Sequence, residues 1–178
     1  MCKVSENLNI VLIGFMGAGK STVGRELERL SGLRLIDLDA EIVRLRGRSI
    51  PEIFAEEGER VFREYEGKAL EALAGCEGVV VATGGGVVGR PENWDAMRKL
   101  GPVVYLAASW ETLENRLVDS RDRPLANPAA GLERARGLWQ SRLPLYAQAD
   151  ITVDTDGEDA PGVARRILRL LAAGGKTC

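Results

Sequence analysis

A chain of 178 residues is long enough to bury a core of its own, so we expect one domain spanning residues 1–178. Its net charge of −2 and its aromatic content of only 5% offer neither the basic surface nor the stacking platforms that DNA or RNA requires. The absence of histidine excludes Ser-His-Asp triads and histidine-ligated metals. Any chemistry must therefore use carboxylates, Arg, Lys, hydroxyls, backbone amides and a borrowed metal ion.

The cysteines and the apolar runs indicate in which cellular compartment the protein is expected. Cys2, Cys76 and Cys178 lie far apart and form no metal or redox motif, so we interpret them as passive. No apolar run reaches the roughly 18 to 20 residues that span a bilayer, and residues 1–9 lack a signal-peptide pattern. The sequence therefore predicts a cytoplasmic protein without a membrane or nucleic-acid partner. A monomer is expected because no heptad seam is visible.

Short apolar runs alternate with amphipathic segments, which is typical of parallel strands connected by helices. The first half of the chain predicts a strand at Asn9–Ile13, a helix from Lys20 to Gly32, a strand at Leu33–Leu38, and helices at Ala40–Arg46, Ile50–Ala55 (after a Ser49/Glu52 capping box) and Glu59–Ala74. A strand at Val79–Ala82, a helix at Asn93–Leu100, a strand at Pro102–Ala107 and a helix capped by Ser109 follow. The last part predicts a mobile loop at Asp119–Pro128, a helix at Leu132–Gln148, a strand at Ile151–Val153 and a final helix carrying Val163 to Leu171. This order predicts an α/β fold in which a five-stranded parallel sheet is flanked by helices. Ligands should gather at the carboxyl ends of the strands.

The segment Gly14–Ser21 matches the phosphate-binding pattern GxxxxGK[ST] between a predicted strand and a predicted helix. Glycines let the backbone N–H groups wrap a phosphate, and the helix start adds its positive end. Lys20 is expected to reach the β- and γ-phosphates, and the Ser21 hydroxyl to bind Mg²⁺. ATP is favoured over GTP because no guanine-reading NKxD pattern is visible. The predicted nucleotide-binding residues are Gly17, Ala18, Gly19, Lys20, Ser21 and Thr22.

Two aspartates at the end of the second predicted strand suggest how an acceptor is bound. The pleat of a strand would place Asp37 and Asp39 on one side and Leu38 on the other. Asp37 could then hold the metal through water, and Asp39 could orient an acceptor hydroxyl for in-line attack. Asp39 could equally be the N-cap of the helix that begins at Ala40.

Three further features each have a functional and a plain interpretation. The turn Thr83–Gly86 either lets backbone approach a ligand or is an ordinary loop. Arg63 and Glu66 lie three residues apart on one helical face, which also fits a solvated ion pair. Arg121 and Arg123 either close over the phosphates or are plain loop charges.

Taken together, these segments resemble the shikimate kinase family, in the same order and at similar separations from Asn9 to about Leu171. The segments that carry the resemblance are Gly14–Gly24, Asp37–Asp39, Phe62–Arg63 with Glu66, Thr83–Gly86, Arg123–Leu125, and Arg142 with Pro144–Tyr146. The resemblance implies the conversion of shikimate and ATP to shikimate 3-phosphate and ADP, in the biosynthesis of chorismate and the aromatic amino acids. It also implies a three-layer P-loop fold like that of nucleoside monophosphate kinases, with a substrate-binding region at about 39–67 and a mobile lid at about 119–130.

The resemblance also implies a role for individual residues. Arg123 would be the lid arginine over ATP, Arg116 would lie near the adenine, and Glu66 would orient Arg63. Asp37 and Ser21 would go with Mg²⁺. The catalytic residues would be Lys20, Asp39 and Arg123, and the shikimate-binding residues Asp39, Arg63, Gly85, Gly86 and Arg142.

The sequence departs from the family pattern in two places. Leu38 stands where members often carry Ser or Thr, although its side chain should point away from the site. The stretch Asp154–Pro161 is acidic where some relatives place an arginine against the adenine, so that contact is not carried over. The alternatives are a related gluconate or nucleotide kinase, and a kinase-like binding module that has lost turnover. The second would be expected to lose Lys20, Asp39 or a lid arginine, and all are present.

Overall fold

The computed structural model describes residues 8–119 and 128–174. Its elements, in chain order, are β1 (Ile10–Ile13), α1 (Lys20–Ser31), β2 (Arg34–Asp37), α2 (Leu38–Arg46), α3 (Ile50–Glu56), α4 (Gly58–Glu71), β3 (Val79–Ala82), a 3₁₀ turn (Val87–Gly89), α5 (Pro91–Leu100), β4 (Val103–Ala107), α6 (Trp110–Asp119), α7 (Pro128–Tyr146), β5 (Ile151–Asp154) and α8 (Ala160–Ala172).

The five strands form one parallel sheet in the order β2-β3-β1-β4-β5. β1 is central and pairs with β3 on one side, through Ile10 and Val80, and with β4 on the other, through Val11 and Val103. The chain moves from β1 towards one edge and then crosses to the other, so the strand order reverses beside β1. In a sheet of this kind the ligand crevice lies at that reversal, beyond the carboxyl ends of the strands. The predicted α/β fold with a five-stranded parallel sheet is confirmed.

Helices cover both faces of the sheet, which explains why β1 and β3 consist entirely of buried apolar residues. Right-handed crossovers place α1 on one face and α4 and α5 on the other, and α8 packs beside α1. The core is one continuous cluster of buried aliphatic side chains with a few aromatic ones. None of the helices in residues 8–119 and 128–174 is long and apolar enough to cross a membrane.

Local hydrogen bonds and backbone conformation fix several element ends. Gly32 ends α1 in the left-handed conformation (φ 78°), as predicted for a C-cap. Ser49 and Glu52 form the predicted capping box at the start of α3. Below the sheet, the buried Asn9 amide donates to the carbonyls of Cys76 and Leu100, at 2.7 and 2.8 Å, and so ties three loops together.

The structure corrects one expectation about β2. The strand ends at Asp37, and α2 begins at Leu38, so Asp39 lies in the first turn of a helix instead of on a pleated strand. Asp39 is not the N-cap either. That position belongs to Asp37, whose Oδ1 accepts from the backbone N–H groups of Asp39 and Ala40, at 3.1 and 3.2 Å.

Candidate active site

The phosphate-binding turn lies at the carboxyl end of the central strand, between β1 and α1. Gly17 and Gly19 adopt left-handed φ values of 81° and 90°, which glycine reaches without strain. The Lys20 ammonium folds back over the turn and donates to the carbonyls of Gly14 and Phe15, at 2.8 and 3.0 Å. The turn forms one wall of a cleft of about 630 Å³, and all six predicted nucleotide-binding residues of this segment line that cleft.

Ser21 and Asp37 meet beside this turn. The Ser21 hydroxyl donates to Asp37 Oδ2 at 2.6 Å, while Asp37 Oδ1 is used in capping α2. The pair therefore presents a hydroxyl and a carboxylate oxygen next to the expected phosphate position. Within the described ranges, no group of three or more His, Cys, Asp or Glu side chains could hold a metal. A sparse set of oxygen ligands suits Mg²⁺, which keeps several waters and takes the rest of its ligands from phosphates.

The three glycines of the turn after β3 have different neighbours: side chains crowd Gly84 and Gly86, and backbone lies against Gly85. A Cβ atom on Gly84 would overlap Glu66 Oε1 and lie 2.8 Å from Asp39 Oδ1. On Gly86 it would overlap the guanidinium of Arg63, whose farther nitrogen Nη2 would be only 2.5 Å away. Gly85 lies against the P-loop backbone, where its Cβ would be 3.5 Å from the amide nitrogen of Met16. The turn thus packs between the phosphate site and the α4 side chains.

Thr83 precedes these glycines and is buried. Its hydroxyl donates to the Leu12 carbonyl of β1 at 2.9 Å, and its backbone N–H donates to the same oxygen at 3.1 Å. The hydroxyl therefore anchors the turn to the central strand. Thr83 and Asp39 both line the same cleft as the P-loop, whereas Leu38 is completely buried, as expected for a side chain that points away from the site.

Arg63 is held by carboxylates at both ends of its guanidinium. Nη1 donates to Glu66 at 2.6 Å, and Nη2 donates to Glu59 at 2.8 Å. Burial of Arg63 opposes its charge, but the bonds to Glu66 and Glu59 outweigh this effect and raise the pKa of the guanidinium. Burial raises the pKa of the Glu66 carboxyl; Arg63 lowers it again in part, and nearby Asp39 adds to the increase. The expected orientation of Arg63 by Glu66 is present in the geometry.

Arg142 of α7 also contacts the glycine turn. Its Nη1 donates to the Gly85 carbonyl at 2.9 Å, and the Tyr146 hydroxyl, one helical turn further along α7, donates to the same oxygen at 3.3 Å. Tyr146 also stacks on Tyr105 of β4, with ring centroids 4.7 Å apart. Burial raises the pKa of Tyr146 to about 12, so the phenol stays protonated and remains a donor. Arg63 and Arg142 thus contact neighbouring glycines of one turn.

The far end of the cleft lies between α6 and the start of α8. Arg116 Nη1 donates to the Gly17 carbonyl at 2.9 Å, which places this arginine beside the P-loop at the cleft. Thr155, Glu158 and Asp159 from the acidic stretch also line the cleft. Both carboxylates are already engaged: Glu158 pairs with Arg166 at 2.6 Å, and Asp159 caps α8.

A family model described as shikimate kinase matches residues 16–172 of the chain. A shikimate kinase of Geobacter sulfurreducens is 47% identical over 163 residues, which cover 92% of this chain and 90% of the relative. This chain belongs to the shikimate kinase family. The resemblance stated from the sequence is thereby confirmed, and the chain belongs to a family of ATP-dependent kinases.

Solved structures agree with this family. A shikimate kinase from Acinetobacter baumannii in complex with shikimate superimposes with a TM-score of 0.87 at 39% identity, covering 94% of this chain and 95% of that one. The shikimate kinase from Aquifex aeolicus gives a TM-score of 0.79 at 34% identity, with coverage of 93% and 97%. A gluconokinase from Sinorhizobium meliloti gives 0.64 at 22% identity and shows the shared fold alone.

The structure thus brings together most residues that resemblance to the shikimate kinase family singles out. Around the cleft and the glycine turn lie Lys20, Ser21, Asp37, Asp39, Arg63, Gly85, Gly86, Arg116 and Arg142. Arg121 and Arg123, with most of the expected lid, lie outside the described residues. The end of that expected lid, 128–130, is already the start of α7.

Three residues that support the site were not predicted from the sequence. Glu59 pairs with Arg63, and the i, i+4 spacing of opposite charges on α4 was the available signal. Asn93 and Trp94 donate to the carbonyls of Val87 and Val88, at 2.9 and 3.1 Å, and so hold the 3₁₀ turn that follows the glycines. Both bonds span six residues, from the start of α5 back to the turn just before it, and no capping or spacing rule used for the sequence predicts them.

Proposed function

We propose that this chain transfers the γ-phosphoryl group of ATP to the 3-hydroxyl of shikimate, giving shikimate 3-phosphate and ADP on the way to chorismate and the aromatic amino acids. One observation carries the proposal: the glycine turn places two guanidinium groups, Arg63 and Arg142, beside a P-loop cleft that also contains Asp39. Two arginines suit a compact acid with one carboxylate, because a guanidinium can engage both carboxylate oxygens.

On the nucleotide side, the backbone amides of the phosphate-binding turn Gly14–Gly19 and of the start of α1 hold the phosphates. Lys20 exchanges its bonds to the turn carbonyls for the β- and γ-phosphates, and so offsets the charge that spreads over the moving group. Ser21 and Asp37 would hold Mg²⁺, which, when bound, neutralises charge on the phosphate oxygens. Arg116 would lie near the adenine.

On the acceptor side, Asp39 binds the ring hydroxyls, aligns the 3-hydroxyl with the γ-phosphate and accepts its proton. Arg63 and Arg142 bind the carboxylate, and Gly85 and Gly86 let the ring approach the backbone closely. In this proposal the substrate-binding region at about 39–67 comprises α2, α3 and most of α4. Positioning and electrostatic stabilisation supply most of the acceleration.

Other expectations remain part of the proposal. Arg123 acts as the lid arginine over ATP and as a catalytic residue, and the segment at about 119–130 acts as the lid. The chain works as one kinase domain, as a monomer, in the cytoplasm, without a nucleic-acid or membrane partner. Light scattering after size exclusion measures the oligomeric state directly.

A coupled ADP-release assay tests the function. Purified protein with Mg-ATP is offered shikimate, gluconate and a nucleoside monophosphate in turn. We expect ADP release with shikimate and with neither of the other two acceptors. Turnover of gluconate or of the nucleotide would instead assign a related kinase, and correctly folded protein that releases no ADP with any acceptor would point to a binding module. Calorimetry with Mg-ATP and with shikimate then shows whether either ligand binds.

A further inference from the structure

Arg63 lies between two carboxylates that differ sharply in exposure. The Glu66 side chain has 0% of its surface exposed, whereas the Glu59 side chain is 65% exposed. A buried carboxylate cannot leave without abandoning its partner charge in the interior, which is costly. An exposed ion pair contributes little to stability and exchanges readily with water. Of the two partners of Arg63, only Glu59 is therefore free to be replaced.

The surroundings of the Arg63 guanidinium also limit how a ligand approaches it. One face lies on Gly86, where three of the guanidinium atoms occupy the space of a Cβ atom. The Phe62 ring centroid lies 5.4 Å from Cζ, and the Phe54 ring centroid lies 6.0 Å away. A carboxylate ligand must then approach an edge of the fork. Nη1 donates to buried Glu66, whereas Nη2 donates to exposed Glu59, so the Nη2 edge is the one that a ligand reaches by displacing an exposed carboxylate.

The charges near the turn lead to the same conclusion. Two guanidinium groups, Arg63 and Arg142, stand among three carboxyl groups, those of Asp39, Glu59 and Glu66. An incoming acid adds a fourth carboxylate to this group. Its binding is more favourable when one resident carboxylate moves into water, and Glu59 is the exposed one.

We propose that Glu59 is a positioning residue that competes with the acceptor: it occupies the Nη2 edge of Arg63 until the carboxylate of shikimate displaces it, and so sets the affinity for that substrate. This inference rests on the proposed function. In the empty site Glu59 keeps the fork oriented and partly neutralised. The cost of this arrangement is a weaker apparent affinity, because each binding event must first separate the Glu59–Arg63 pair.

The test compares Glu59→Gln with wild type in the ADP-release assay. Removing the competing charge lowers the KM for shikimate about two- to five-fold, the range that an exposed ion pair supports. The value of kcat stays unchanged, because Glu59 does not contact the reacting atoms. The matched control is Glu64→Gln. Glu64 pairs with Arg60 at 3.2 Å on the same helix, so this variant removes the same charge from α4 without touching Arg63.

A double-mutant cycle with Arg63→Ala separates direct competition from a general charge effect. In the Arg63→Ala background, Glu59→Gln leaves the KM unchanged, because nothing remains for Glu59 to occupy. The inference is overturned if the KM for shikimate rises or stays constant in the single Glu59→Gln variant. It is also overturned if Glu59→Gln lowers the KM equally in the Arg63→Ala background, or if Glu64→Gln lowers the KM by the same factor. These results leave the proposed function intact. Failure of the wild type to phosphorylate shikimate would instead remove the proposed function itself.

Discussion

Adding a single methyl group at Gly86 tests the acceptor site most directly. The backbone at Gly86 has φ −95° and ψ −9°, which any L-residue adopts, so Gly86→Ala introduces no backbone strain. The new Cβ would overlap Nη1 and Cζ of Arg63 and lie 2.5 Å from Nη2. The guanidinium is rigid and planar, so it has to move as a whole. Glu66 resists this movement because it is buried and bonded to Nη1 at 2.6 Å.

The size of the effect follows from the contact that is lost. A hydrogen bond that involves a charged group contributes about 1.5 to 3 kcal/mol. Losing the Arg63 contact with the shikimate carboxylate therefore lowers kcat/KM about ten- to 150-fold. Most of this change should appear in KM, since the carboxylate is bound equally in the ground state and the transition state. The ADP-release assay gives both constants, and calorimetry gives the shikimate affinity independently.

The neighbouring turn supplies the control for this experiment. A Cβ on Gly89 would have nothing within 4 Å, and Gly89 ends the same 3₁₀ turn that Gly86 precedes. Gly89→Ala should keep wild-type kinetics, and thermal unfolding of both variants shows whether either has lost its fold. A folded Gly86→Ala protein with an unchanged KM for shikimate would refute the placement of Arg63 in the acceptor site.

Four further outcomes follow from the same geometry. Lys20→Ala should abolish phosphoryl transfer while leaving the circular dichroism spectrum unchanged; substantial residual turnover would argue against its role. Arg142→Ala should mainly raise the KM for shikimate, and an unchanged shikimate affinity by calorimetry would count against the pocket. Ser49→Ala removes an N-cap and should lower the free energy of unfolding by about 1 kcal/mol in urea, with unchanged kinetics. Burial raises the pKa of the Glu66 carboxyl above its ordinary value of 4.5. Ionisation of Glu66 therefore lowers the free energy of unfolding increasingly as the pH rises from 4.5 through the raised pKa. Measured relative to wild type, the stability of Glu66→Gln should therefore improve with rising pH over that window, and a constant difference would contradict the assignment.

Local patterns predicted the elements of this fold but misplaced the junction at the end of β2, where the strand was expected to reach Leu38 and the helix to begin at Ala40. Asp37 and Asp39 both carry the side chain of an N-cap, and a strand and a helix meet between them. The helix in fact begins at Leu38, because Asp37 bonds the first free amides of the helix, those of Asp39 and Ala40. Strand periodicity cannot locate a boundary to within three residues. The direction in which the Asp39 side chain points could therefore be read only from the structure.

The contacts around the glycine turn lay further beyond the reach of sequence reasoning. A triple glycine indicates that backbone comes close to something, without saying to what. Arg142 reaches the carbonyl of Gly85 across 57 positions of sequence, and no spacing rule connects them. Arg63 and Glu66, by contrast, were predictable as a pair, because three residues separate them on α4. Resemblance to a family singled out both Gly85 and Arg142, which periodicity could not, but it did not predict the bond between them.

The glycine turn also limits how this site can change. Gly84 accommodates Glu66 and Asp39, Gly85 lies against the P-loop backbone, and Gly86 accommodates Arg63. A side chain at Gly84 or Gly86 would disturb groups that we propose bind the acceptor. A different acceptor acid is therefore more easily accommodated by changes on the helices that carry those side chains than by changes in the turn. Under the proposed function, the turn would set the distance between acceptor and phosphate, and the helices would determine which acceptor is bound.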